Sequence, residues 1–187
     1  MIIRRYEAAD ELQWLQCRVL AFLETAYFDD VYQKKETYSA PSIELVAIID
    51  DRVVGLIDIE HQINDDEVSG MIWHVAVHPE HRRKGIAQAL VKEAKTLAEP
   101  FQIKRFEAWT RDDQFVNDWY QSQGFKQIYS YYHIFPSSDE IRDTGILISP
   151  HDKAHPVTAY IHYIGDDQTY LSQFSRVHQC RRYDLLF

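Results

Sequence analysis

The sequence predicts an α/β fold in which a mixed sheet carries helices on both faces and a small C-terminal extension follows. Three observations carry that prediction. Apolar runs of strand length, bounded by turn residues, recur through the first two thirds of the chain. Between them lie segments whose apolar residues fall at steps of three and four, and one such segment sits between two strands as a central βαβ unit. A chain of 187 residues, 45% hydrophobic and 26% charged, fills one core well and is too short for two large domains.

The elements follow in order. Ile2 to Tyr6 is a short apolar start, and Leu12, Leu15, Val19, Phe22 and Ala26 mark one face of an amphipathic helix. Residues 28–38 are more polar and irregular, a second short helix or a loop over the core. Residues 45–49 and 53–59 read as strands joined by the tight turn Asp50-Asp51-Arg52, and 61–69 as a polar connection. Met71 to Val77 is a strand, and a helix runs from about Gly85 to Ala98 with Ala87, Leu90, Ala94 and Leu97 on one side, closed by Pro100. Arg105 to Trp109 is the next strand. Asp112 or Asp113 caps a helix through Gln123 whose stripe is Phe115, Val116, Trp119 and Tyr120, and Gly124 stops it before the strand Phe125 to Phe135. Residues 1–135 thus form the main domain. Residues 136–187 are the extension: a polar linker to Pro156, a strand at 157–164, a helix at 169–177 and a strand at 179–187. Too small to bury a core alone, it is expected to dock on the main domain or on a partner subunit, with a homodimer as one outcome.

The net charge of -9 excludes general nucleic-acid binding, which needs a basic face, and suits a cationic small substrate. No N-terminal signal-like segment or membrane-length apolar run is present, so the cytoplasm is the default location. Cys17 and Cys180, without a CxxC motif, read as reduced, partly buried thiols.

Against this acidic background one stretch is locally basic. The strand ending Val75-Ala76-Val77 leads through His-Pro-Glu-His into Arg82-Arg83-Lys84-Gly85-Ile86-Ala87 and then a helix. Helix-start N–H groups lack internal partners and carry the positive end of the dipole, so this is an anion site, with Gly85 and Ala87 permitting close approach. Simple helix packing is the plainer account of those two small residues. A dinucleotide fold would show Gly-x-Gly-x-x-Gly, which is absent. His74, His78 and His81 fall within eight residues, but no carboxylate or Cys completes a ligand spacing, and no metal is expected.

The strand followed by Arg82-Arg83-Lys84-Gly85-Ile86-Ala87 resembles the [Q/R]-x-x-G-x-[G/A] signature of the GCN5-related N-acetyltransferases. Trp119-Tyr120-Gln121-Ser122-Gln123-Gly124-Phe125 is similar to that family's second motif, an aromatic-Tyr-x-x-x-Gly-Phe, in the right order downstream. The resemblance covers roughly residues 2–135. It implies a mostly antiparallel central sheet, acetyl-CoA as donor, and direct transfer of acetyl to an amine in a ternary complex. It also implies that Arg82 to Ala87 hold the pyrophosphate, that Val75, Ala76 and Val77 pair with the pantetheine arm, and that Tyr120 protonates the departing thiolate. With ordinary pKa values of about 10 and about 8.5, that proton transfer is uphill by roughly 2 kcal/mol. Asn117, one turn before Tyr120, is a candidate contact to the cofactor or a polar helix face. Asp113 stands where many relatives carry a cofactor-contacting Asn, and a helix cap accounts for it equally.

An alkylamine is neutral only about once in 2,500 molecules at pH 7, so deprotonation needs help. Where several relatives carry a Glu or His base, this chain has Met71 and Trp73. Asp58 and Glu60 on the preceding strand are the substitutes, with solvated strand-end positions as the alternative, and His74 reads as a packed core histidine. The missing base supports a rival reading, a non-catalytic acyl-CoA-binding or regulatory module, whereas Tyr120 argues for an enzyme.

Overall fold

The computed structural model describes residues 1–64, 67–149 and 151–187. Its strands are β1 (Ile2–Arg5), β2 (Ser42–Ile49), β3 (Arg52–Asn64), β4 (Glu67–Val77), β5 (Arg105–Thr110), β6 (Lys126–Ile134), β7 (Ile161–Tyr163) and β8 (Val177–Leu186). The helices are α1 (Glu11–Phe22), α2 (Ile86–Ala98), α3 (Gln114–Ser122), α4 (Ser138–Thr144) and α5 (Gln168–Leu171). One eight-stranded sheet has the order β1-β2-β3-β4-β5-β8-β6-β7, and among the described pairings only β4–β5 is parallel. This is the mixed, mostly antiparallel sheet that the sequence predicts.

The helices divide between the faces as alternation requires. On one face Leu45, Ala47, Ile57 and Ile59 meet Ile86, Leu90 and Ala94 of α2 and Tyr120 of α3. On the other, Val46, Leu56 and Ala76 meet Trp14, Cys17 and Ala21 of α1. The β2–β3 turn is tight, with Asp50 and Asp51 both at positive φ (49° and 59°), the conformation that matches the twist of a two-residue hairpin. Residues 23–41 cross the α1 face as a loop rather than a second helix.

Several expectations need correction. Most of the polar connection at 61–69 is strand: β3 continues to Asn64 and β4 begins at Glu67, with Gln62 facing Ser69 and Ile63 facing Val68. Positions 65 and 66 lie outside the described residues, as does 150 in the expected linker. That linker also contains α4, whose Ser137 accepts from Glu140 N–H while the Glu140 carboxylate accepts from Ser137 N–H, a capping box written in the sequence as Ser-Ser-Asp-Glu. The final strand does not sit outside the main sheet. β8 lies between β5 and β6, burying Cys180, Tyr183 and Leu185, so the boundary expected at 135/136 does not separate the sheet from the C-terminal segment. No described helix is long and apolar enough to cross a membrane.

Candidate active site

β4 and β5 pair only over Gly70–Phe106, Met71–Glu107 and Ile72–Ala108. The cause of their parting lies in the neighbouring ladder. Asp58 faces His74 and Ile59 faces Ile72, which leaves Trp73 as an extra residue in β4, a β-bulge. A bulge bends its strand and increases its twist, so β4 turns from β5 directly after Ile72. The gap is a cleft of about 1410 Å³, walled by Met71 to Val77 on one arm and Trp109 and Thr110 on the other. The β4 edge facing the gap has no strand partner among the described residues, so its N–H and C=O groups are available to a ligand.

One end of the cleft is an anion cradle. Gly85 is the N-cap of α2 at φ 77°, a left-handed conformation, and a Cβ built there would meet nothing within 4 Å. Packing therefore does not demand this glycine; the backbone conformation and the open space beside it do. The N–H groups of Arg83 to Gln88 find no acceptor among the described residues, and the first bond into the helix is Ala89 N–H to Gly85 C=O at 3.0 Å. Arg82, Arg83, Lys84, Gly85, Ile86 and Ala87 all line the cleft. Their roles differ. Arg82 is held by Glu24 at 2.8 Å and by the Ala21 carbonyl, which leaves Arg83 and Lys84 as the exposed cations.

Tyr120 lies on the cleft wall at mid-length, only 4% exposed. Its ring stacks on Tyr183 of β8 (5.3 Å, 9° between planes) and meets Phe125 and Trp119 edge-on. The hydroxyl has no hydrogen-bond partner among the described residues, yet it is not a sealed orphan, so it opens towards the cleft. Burial raises its pKa, and the hydroxyl holds its proton at neutral pH.

The other end of the cleft is aromatic and polar, lined by Phe22, Tyr27, Tyr32, Trp73, Trp109 and Tyr131 together with Arg18, Asp30 and His74. His74 is on the wall, so its reading as a core histidine holds for burial (4% exposed) and misses its place in the site. Arg18 Nε donates to Nδ1 (3.4 Å), so Nε2 carries the proton towards Glu36 (2.9 Å). Both ring nitrogens are engaged. Burial lowers the pKa of His74, and the His74 partnership pulls Glu36 down to about 2. Arg18, fully buried, is neutralised by Asp30 at 2.7 Å.

The structure does not bring the expected substitutes for a base to this wall. Asp58 lies behind it on the α1 face, fully buried, with Lys35 Nζ 3.4 Å away and no hydrogen bond to either oxygen. Desolvation outweighs the lysine and pushes Asp58 up to about 7. Lys35 also bonds Glu44, and its ammonium lies against the rings of Tyr6, Trp14 and Tyr38. Glu60 is spent as well, accepting from Trp73 Nε1 (2.9 Å) and Ser39 N–H (3.0 Å). Asn117 is likewise not among the residues lining the cleft: its amide donates to the Arg111 and Asp113 carbonyls and accepts from the Tyr183 hydroxyl, which buries it between α3 and β8. Nor does the Asp113 carboxylate cap α3. It accepts from Ala26 N–H at 2.9 and 3.0 Å and pins the crossing loop. The extra residue at Trp73 breaks the strict alternation from which the face of each β4 side chain was read, so sequence spacing alone misplaced this wall.

Splayed parallel strands, an anion cradle at one end and a buried tyrosine open to the gap define an acyl-transfer type of site. Residues 41–127, from just before β2 into β6, match the family model described as the acetyltransferase (GNAT) domain, which supports a place in the GCN5-related N-acetyltransferase superfamily. No curated protein matches the chain. Among solved structures it is similar to the ribosomal-protein-alanine N-acetyltransferase of Brucella melitensis (15% identity, 100% of each chain, TM-score 0.61). It is also similar to an acetyltransferase of Streptococcus agalactiae (18%, 100% of this chain and 98% of that one, TM-score 0.58). A third is a GNAT family acetyltransferase of Elizabethkingia anophelis with acetyl-CoA bound (13%, 100% and 97%, TM-score 0.55). At these identities the likeness is one of fold.

Proposed function

We propose that the chain transfers the acetyl group of acetyl-CoA to a primary amine, of a small molecule or a peptide, by direct attack in a ternary complex. The observation that carries this is the joining, in one cleft, of free helix-start N–H groups, an unpaired strand edge and the open Tyr120 hydroxyl. The residues fit the donor. Arg83 to Gln88 offer N–H groups and two exposed cations to a pyrophosphate, and the β4 edge at Val75 to Val77 offers backbone partners to an amide-bearing arm. When bound, acetyl-CoA supplies an acetyl group already activated as a thioester. The solved relative that holds acetyl-CoA, and the one named for acetylating a ribosomal-protein alanine, are in keeping with this reading.

The chain's own residues have three tasks. Backbone N–H groups near Val75 polarise a carbonyl laid along the strand. Tyr120 Oη holds a proton that it can give to a leaving thiolate, with Tyr183, Phe125 and Trp119 fixing its ring. The aromatic end excludes water and receives the amine. His81 and Glu80, whose Nδ1 and carboxylate are unpartnered among the described residues, line the cleft beside Arg82 at the cradle end, and at the acceptor end Asp30 and His74 are both engaged, so the amine's proton leaves through water. The rate is then expected to follow the neutral fraction of the amine as pH rises.

Release of free thiol from acetyl-CoA across a panel of amines tests the reading. Release that depends on the amine supports it. Tight binding of acetyl-CoA with no release for any amine would instead establish the acyl-CoA-binding module.

A further inference from the structure

The residue directly after the last β4–β5 pair is a tryptophan on both strands, Trp73 after Ile72 and Trp109 after Ala108. Both indoles line the acceptor end of the cleft, and each gives its Nε1–H to a carboxylate: Trp73 to Glu60 at 2.9 Å, Trp109 to Glu107 at 2.8 Å. Tyr131, also on the wall, meets Trp109 edge-on at 5.4 Å, and Tyr129 stands 6.2 Å from it. Trp73 is 48% exposed, a large apolar surface turned to solvent at the mouth of a site.

Charge sharpens the chemistry. Glu107 and Asp184 share Arg105 and Arg182, and Arg18 is neutralised by Asp30, but Glu60 has no cation within salt-bridge distance among the described residues. Glu36, lowered by its bond to His74, adds a second negative charge beside a neutral imidazole. Glu60 and Glu36 therefore place negative charge around the Trp73 and His74 side of the acceptor end, opposite in sign to the cradle, while Arg111, with no carboxylate at salt-bridge distance among the described residues, lies over Tyr27 and donates to the Ala26 carbonyl and His133. A carboxylate on an indole N–H adds electron density to the ring, and such a face attracts cations. The reacting amine must be neutral to attack, so it is not the cation that this arrangement recognises.

We propose that the acceptor is a small amine bearing a second group that is cationic at neutral pH, an ammonium or a guanidinium, which rests on Trp73 and Trp109 with Glu60 behind while the first amine reaches the β4 edge. This rests on the acetyltransferase reading above. Glu60 acts here through Trp73, as a positioning and field-setting group.

The test compares α,ω-diaminoalkanes with 1-aminoalkanes of equal length in the thiol-release assay. For the wild-type chain, kcat/KM is expected to be about tenfold higher for the diamines, expressed in KM. Trp109→Leu should remove that preference. Glu60→Gln can keep the bond from the indole N–H on its one amide oxygen, gives up the bond from Ser39 N–H together with the charge, and should raise KM for diamines more than for monoamines. Equal kcat/KM for diamines and monoamines in the wild-type chain overturns this proposal and leaves acetyl transfer standing; an unchanged diamine KM in Glu60→Gln does the same. Thiol release with no amine at all overturns both.

Discussion

Tyr120 and Asp58 show how one cause, burial, serves two ends. The tyrosine ring is clamped by three aromatic neighbours and its hydroxyl alone meets the cleft, so Tyr120→Phe removes a proton donor and almost nothing else. A general acid in such a position contributes about 100-fold or more. Turnover should fall by that order while calorimetry gives an unchanged Kd for acetyl-CoA, and a variant with wild-type turnover would remove Tyr120 from the chemistry. Asp58 is buried without hydrogen bonds, and its pKa near 7 stands well above the unfolded value of 3.8. Between those values the folded state holds a proton that the unfolded chain has lost. The Asp58 contribution to stability is therefore complete at the acid end of the window and declines as pH rises through it to about 7. Asp58→Asn cannot titrate, so its melting temperature should gain on the wild type between pH 5 and pH 8, by the equivalent of more than about 1 kcal/mol. Parallel melting profiles for the two proteins would show that Asp58 stays ionised.

At the scale of elements, the cradle was legible and the acceptor wall was not. A helix start needs only its local sequence, and Arg82 to Ala87 announce one: basic residues, a glycine at the position that must be left-handed, then a 3.6-residue apolar period. The bulge at Trp73 is a property of two strands and their register, and no local pattern in β4 distinguishes it from simple alternation. Through it Trp73 reaches the cleft, Glu60 is drawn to an indole, and His74 comes to the wall. The cradle itself can be tested at Gly85. With φ at 77° and no atom within 4 Å of a built Cβ, Gly85→Ala brings only backbone strain to the free protein, about 1–2 kcal/mol. In the loaded protein the added methyl stands beside the N–H groups that face the anion. Acetyl-CoA affinity should therefore fall by more than the stability loss alone implies, read by calorimetry beside urea unfolding, and an unchanged Kd would place the pyrophosphate elsewhere.

The whole molecule depends on its last strand. β8 buries Cys180, Tyr183 and Leu185 among half-exposed residues, but sequence order says nothing about which gap it fills, and a polar stretch before it reads as a linker to something separate. It pairs with β5 from Thr110 to Arg105 and with β6 from Ile134 to Lys126, and it supplies Tyr183, the stacking partner of Tyr120 and the hydrogen-bond donor to Asn117. Without β8, the facing edges of β5 and β6 would stand about 10 Å apart, two strand spacings, too far to pair with one another. Both would expose unpaired backbone and the apolar face that now covers Tyr183. A chain ending at Ser175 should therefore lose its cooperative thermal transition, and with it the ring packing that fixes Tyr120. Adding the Val177–Phe187 segment as a separate peptide should restore a cooperative transition whose midpoint rises with peptide concentration, as linkage requires. If the truncated chain melts cooperatively at the wild-type temperature, the sheet closes without β8, and the C-terminal segment is an appendage after all.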